Sequence, residues 1–362
     1  MMTDTTRTIG EDPGPYRVLA MDGGGIYGVF TAIMLRKLCE RESRFLDGDH
    51  PVTLFAGTSA GAISALLLAK QEKPRDIIQN RTLENLFKDD RLYGNRLDPV
   101  MGILSLFGLT SWSGKADFHS RLTEDFGDMK MKDLKHRVLI TAFDLWGTRD
   151  TPSSAAQSWK PKVFYNFPAS EPDRDRYVKD VGYGAASPPT LRPVVDGITD
   201  GGFFADDPSV NAIAKIMSQM RESNAGAEES LRDISVFSLG VGAMAPHYFQ
   251  RTFDFGVLPF NLLPTNIGHG FVESPIATFV LNPDKRATAY IVQQLVGDDD
   301  YFRLDPPAIG FPMLSVAAAV YLARFPNWRE FFLDQIYRAS ESPSVSNELD
   351  KAAQWIRDHD WA

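Results

Sequence analysis

Twice near its start the chain runs an apolar stretch into glycines and out into a helical pattern, and few folds accommodate that succession. Residues 16–21, YRVLAM, end at Asp22-Gly23-Gly24-Gly25, after which Phe30, Ile33, Met34 and Leu38 recur at helical spacing over 29–41. The apolar run 52–56 ends at Gly57-Thr58-Ser59-Ala60-Gly61 and passes into an Ala/Leu-rich helix from about Ala60. Residues 136–145 (HRVLITAFDL), 162–167 (KVFYNF) and 234–242 (ISVFSLGVG) read as three more strands. Strand, tight turn and helix in repetition predict an α/β chain: a mostly parallel central sheet with helices on both faces. The stretch 311–338 reads as helical with an interruption at Pro326, and 345–360 as a charged helix.

With 362 residues and 43% hydrophobic content, the chain has material for a large core. A formal net charge of −9 excludes a general nucleic-acid binder, because neutralising phosphates needs a basic surface. The lone cysteine, Cys39 in FTAIMLRKLCE, excludes an internal disulfide framework and a Cys-rich zinc site, and its apolar surroundings predict a buried thiol. The first fifteen residues are polar and lack an apolar segment, and no run of eighteen uncharged apolar residues occurs. A cytoplasmic protein is therefore expected.

Gly23, Gly25 and Gly28 fit G-x-G-x-x-G, the pattern that brings backbone amides against a dinucleotide pyrophosphate. Glu40, Glu42 and Asp47 lie about where the ribose-binding acid would be. The same amides could instead hold the negative oxygen of a tetrahedral intermediate. The second glycine motif bears on that choice. Gly57-Thr58-Ser59-Ala60-Gly61 is a G-x-S-x-G between strand and helix, where a sharp turn projects the serine hydroxyl out of the sheet. The helix that follows places positive potential where an oxyanion would form.

A serine nucleophile needs a base. None of the six histidines (His50, His119, His136, His247, His269, His359) stands in the serine, acid, histidine order of an α/β-hydrolase, and only His269, in NIGHGF, lies near glycines. The better candidate is Asp200 in ITDGGFFADDP, where Gly201 and Gly202 leave room beside the carboxylate. An aspartate can take the serine proton directly if burial lifts its pKa above the free value of about 3.9. Asp-Gly is also a common turn dipeptide, as at Asp196-Gly197 just upstream.

Taken in order, DGGGIYG at 22–28, GTSAG at 57–61 and DGG at 200–202 make the chain resemble the patatin-like phospholipase family. AASPPT before the aspartate, FSLGVG at 237–242 and YFRLDP at 301–306 extend the resemblance over residues 16–306. It implies a three-layer fold and a serine lipid acyl hydrolase of phospholipase A type, acting on fatty-acyl esters through a Ser-Asp dyad. Ser59 then corresponds to the nucleophile, Asp200 to the base, and Gly23, Gly24 and Gly25 to the oxyanion-hole donors. Gly57, Gly61, Gly201 and Gly202 shape the turns, and no metal or cofactor is implied. The expected layout is a disordered segment 1–15, a catalytic domain 16–310 and a helical extension 311–362 packed on it.

The family usually has Arg or Lys where this chain has Tyr27, which opens the head-group preference to neutral lipids and simple esters. Asp206-Asp207-Pro208 stands where Asn-Asn-Pro is more usual, a change with no evident chemical consequence at this level. A lipid substrate implies contact with a membrane surface, and the apolar segment 101–112 (Ile103, Leu104, Leu106, Phe107, Leu109, Trp112) is the candidate lid or contact element. Two further expectations come from relatives in the family: a cyclic-nucleotide-activated, membrane-degrading effector, or a storage protein with residual esterase activity. A homo-oligomer is compatible with either.

Overall fold

A computed structural model describes residues 15–48, 50–92, 115–146, 159–168, 171–189, 192–222, 231, 233–242, 275–306 and 328–361. The segments 1–14 and 101–112 and the residues His247, His269 and Pro326 lie outside that set. Seven strands form one sheet: β1 (Tyr16–Met21), β2 (Leu54–Thr58), β3 (Arg137–Asp144), β4 (Lys160–Tyr165), β5 (Ile198–Asp200), β6 (Ile234–Leu239) and β7 (Tyr301–Leu304). The order is β4-β3-β2-β1-β6-β7, with β5 also paired to β3. The four pairings from β3 across to β7 are parallel, while β4 and β5 run antiparallel to β3.

Side chains of β1 alternate between two cores. Leu19 and Met21 face one that includes residues of α1 (Gly28–Arg41) and α2 (Ala60–Lys70), while Tyr16, Val18 and Ala20 face one built with the Ser209–Glu222 and Pro275–Val296 helices. Both faces of the sheet are thus covered, as the continuous apolar runs require. The Trp328–Ser340 and Pro343–Asp358 helices pack on the α1 side. The last of these starts where the side chain of Ser342 accepts the Val345 amide, with Pro343 in the first turn.

β1 has the predicted bounds, and β2 runs two residues further than the apolar pattern, to Thr58, because its pairing with β3 continues to Thr58↔Thr141. β7, which the apolar pattern did not mark, is an edge strand on β6. Cys39 is buried, and burial pushes its thiol pKa up to about 12, as fits a structural residue. Among the described residues no helix is long and apolar enough to cross a membrane.

Candidate active site

β2 carries Ser59 to the rim of the sheet. A Cβ at Gly57 would overlap the backbone of Gly61, and one at Gly61 would overlap Met21 at the end of β1. The two glycines therefore let α2 start directly against the strands, and the chain must reverse within Ser59. Ser59 adopts φ 51° and ψ −116°, a conformation strained for any residue with a Cβ. Its side chain stays partly exposed at the N-terminus of α2.

Asp200 arrives by register. On one edge of β3, Arg137 to Thr141 pair with β2, and the next residue, Ala142, pairs with Asp200 of β5. β5 thus continues the line of β2 along the same edge, from the opposite direction. A two-residue turn feeds it: Asp196 and Gly197 both have positive φ, 51° and 74°, and the Ile198 amide donates to the Val195 carbonyl. Beyond β5 the chain is pinned to β2, where the Thr58 hydroxyl bonds the Ala205 carbonyl at 2.7 Å and lies 2.6 Å from the Thr141 hydroxyl. A Cβ at Gly201 would overlap Thr141.

The Ser59 hydroxyl donates to Asp200 Oδ2 at 2.6 Å, and the Gly202 amide donates to Oδ1 at 2.9 Å. Asp200 is buried, and desolvation pushes its pKa up to about 6 against the opposing effects of these two bonds and the nearby Arg192 charge. A carboxylate poised near neutrality and bonded to a strained, partly exposed serine can take that serine's proton.

The glycine loop after β1 flanks Ser59: a Cβ at Gly23 would stand 3.2 Å from the Ser59 Cβ. The Gly23 amide donates to the Asp206 carbonyl at 3.0 Å. That corrects the expectation for Gly23, whose donor is engaged inside the protein. Gly24 accepts the Tyr27 amide at 3.1 Å, and Gly25 has φ 56°. Tyr27 packs against the core beside α1.

Behind the loop lies a charge cluster that the motifs did not disclose. Arg303 of β7 donates to both oxygens of Asp22 (2.7 and 3.2 Å), to Asp207 (2.8 Å), Asp305 (2.8 Å) and the Ser238 hydroxyl (2.8 Å). Lys285 stands 2.9 Å from Asp206 and 3.5 Å from Asp22. Burial pushes Asp206 up to about 7 and Asp207 up to about 6, with Lys285 and Arg303 opposing it, while the carboxylates hold both cations above their ordinary values. Asp206 and Asp207 thus have a definite consequence, contrary to the expectation from sequence: each anchors a partly buried cation. The visible signal was a pair of acids, DDP, inside an otherwise small and apolar stretch.

The remaining candidates lie elsewhere or outside the described residues. His50 pairs with Asp360, His119 with Asp180, His136 bonds the Gln71 carbonyl, and His359 stacks on Trp355. Glu40 pairs with Arg36 and Glu42 lies 3.6 Å from Arg357. Among the described residues no cluster of His, Cys, Asp and Glu is fit to hold a metal ion.

A family model described as patatin-like phospholipase matches residues 19–213, more than half of the chain and the span holding all three motifs. A Bacillus subtilis protein named as a sporulation hydrolase, CotR, is 26% identical over 80% of this chain and 87% of its own length. A cGAMP-activated phospholipase of Pseudomonas aeruginosa is 26% identical over 81% of this chain and 79% of its own. Patatin-like protein 2 of Oryza sativa subsp. indica is 25% identical over 55% of this chain and 52% of its own. The chain belongs to the patatin-like phospholipase family, a family of lipid acyl hydrolases.

Proposed function

We propose that the chain is a serine acyl hydrolase of phospholipase A type, with Ser59 as nucleophile and Asp200 as its base. The observation that carries this reading is the 2.6 Å bond from the Ser59 hydroxyl into a buried carboxylate whose pKa sits near 6. At neutral pH Asp200 is mostly ionised. It takes the hydroxyl proton as Ser59 Oγ attacks the ester carbonyl. The amides of Gly24 and Gly25 stabilise the resulting oxyanion, with Gly23 serving the fold rather than the substrate. Collapse expels the alcohol, which receives the proton from Asp200, and leaves an acyl-serine. Water, activated by the same carboxylate, then releases the fatty acid and restores Ser59. The substrate is a phospholipid or another fatty-acyl ester met at a membrane surface.

A second reading concerns control. The Pseudomonas aeruginosa relative, named for activation by cGAMP, aligns over 81% of this chain, which supports testing a cyclic dinucleotide as activator here. The experiment is fatty-acid release from mixed phospholipid vesicles by wild type and Ser59→Ala, with and without a panel of cyclic dinucleotides. Release by wild type alone is expected, and release only with a nucleotide would place the chain among regulated effectors. Retention of even a tenth of the rate by Ser59→Ala would overturn the nucleophile assignment.

A further inference from the structure

Lys285 takes no part in the chemistry above, yet it reaches the glycine loop from the far side of the sheet. It belongs to the Pro275–Val296 helix, whose Val292 and Val296 join the core opposite α1 and α2, and its Nζ donates to the Gly23 carbonyl at 3.4 Å. Asp206 holds it at 2.9 Å and Asp22 at 3.5 Å. The carbonyl of Gly23 and the amide of Gly24 belong to one planar peptide unit, so whatever fixes the first aims the second in the opposite direction. Glycines on both sides leave that peptide free to flip at little steric cost, and a flip would turn a carbonyl oxygen toward the forming oxyanion.

The next donor needs no such help. The Gly25 amide shares its peptide with the Gly24 carbonyl, which is already bonded to the Tyr27 amide within the same turn. Gly23 itself is tied through its own amide to the Asp206 carbonyl. The Gly23–Gly24 peptide is thus the unit of the loop that a side chain from elsewhere must orient. A cation on its carbonyl also polarises the amide it aims.

We propose that Lys285 is a positioning residue for the oxyanion hole: held by Asp206, it locks the Gly23–Gly24 peptide with its amide turned toward Ser59. The proposal rests on the Ser59 and oxyanion-loop reading given above. It places a determinant of turnover 226 positions downstream of the nucleophile, in a helix that touches the loop through this side chain.

The test compares wild type, Ser59→Ala, Lys285→Met, Asp206→Asn and the double variant Lys285→Met/Asp206→Asn on a p-nitrophenyl ester, with melting temperature measured alongside. Losing the aim of one oxyanion donor should lower kcat about a hundredfold, with KM changed less than threefold. Affinity for a trifluoromethyl ketone, whose serine adduct carries an oxyanion, should fall by a similar factor. Asp206→Asn should lower kcat to a value between those of wild type and Lys285→Met, since Lys285 loses its nearest carboxylate and keeps only Asp22 at 3.5 Å and the Gly23 carbonyl; an Asp206→Asn enzyme slower than Lys285→Met would count against the proposal.

The double variant separates positioning from charge balance, and it also answers the case in which Lys285→Met fails to fold. Removing the uncompensated carboxylate should restore the melting temperature while kcat stays low. Return of kcat to the wild-type level in the double variant, or a Lys285→Met enzyme within threefold of wild type, would overturn the proposal. With Ser59→Ala inactive in the same assay, such a result would fall on Lys285 alone. An active Ser59→Ala would instead remove the site reading and this proposal with it.

Discussion

Asp200 stands one step along β3 from the point where β2 leaves it, and that step is what brings its Oδ2 within 2.6 Å of Ser59 Oγ. Two strands approach one edge of β3 from opposite ends, and each delivers one member of the pair. The separation is therefore fixed by sheet register rather than by a flexible loop. Asp200→Asn keeps size and shape and leaves an oxygen to accept the Gly202 amide, so the fold should survive. Without a base the turnover should fall by about two to four orders of magnitude. Steady-state hydrolysis of a p-nitrophenyl ester checks this, and a loss below tenfold would remove Asp200 from the base role.

The raised pKa of Asp200 sets a pH profile of definite sign. The carboxylate must be ionised to accept the proton, so kcat/KM should be level above pH 7 and fall on the acid side with an apparent pKa of about 6. One unit below that value about a tenth of the sites remain ionised, and the rate should follow. A profile flat down to pH 4.5 would contradict a buried carboxylate base.

How far the sequence disclosed this site depends on the range over which each interaction is encoded. Ser59 was legible because its strain, its flanking glycines and its helix all lie within a dozen residues. Asp200 was legible as a candidate only. Asp-Gly-Gly at 200–202 and Asp-Gly at 196–197 are similar strings, and they part company in the fold, where one follows the β3 edge and the other makes the turn before it. The role of the cations was not legible, although Arg303 lies in the YFRLDP segment that carried the resemblance. Lys285 lies 262 residues from Gly23 and Arg303 lies 281 from Asp22, with nothing local to mark either as a partner of the glycine loop. The engaged amide of Gly23 was hidden for the same reason, since its partner is the carbonyl of residue 206.

The strain at Ser59 has a measurable size. A Cβ at φ 51° and ψ −116° costs on the order of 1–3 kcal/mol, and glycine avoids it. Glycine also raises the entropy of the unfolded chain, which offsets roughly 0.5–1 kcal/mol. Ser59→Ala and Ser59→Gly both lack the nucleophile and should both be inactive. Ser59→Gly should nonetheless be the more stable of the two by about 1 kcal/mol in urea unfolding. Equal midpoints would mean that the surrounding backbone relaxes and the turn stores nothing.

Arg303 offers the sharpest test of the charge cluster. Its guanidinium bonds Asp22, Asp207 and Asp305, and the first two are buried. Arg303→Met keeps an unbranched apolar stem but strands those carboxylates, which should cost on the order of 3–5 kcal/mol at pH 8. The sign of the pH dependence follows from Asp207, already pushed up to about 6 with the cation present. Without the cation its folded pKa rises further, so the variant can escape part of the penalty by protonating at low pH, whereas the unfolded chain ionises above about pH 4. The stability gap between variant and wild type should therefore widen as pH rises from 5 to 8. A gap that stays constant over that range would show that Arg303 acts through packing of its stem rather than through charge.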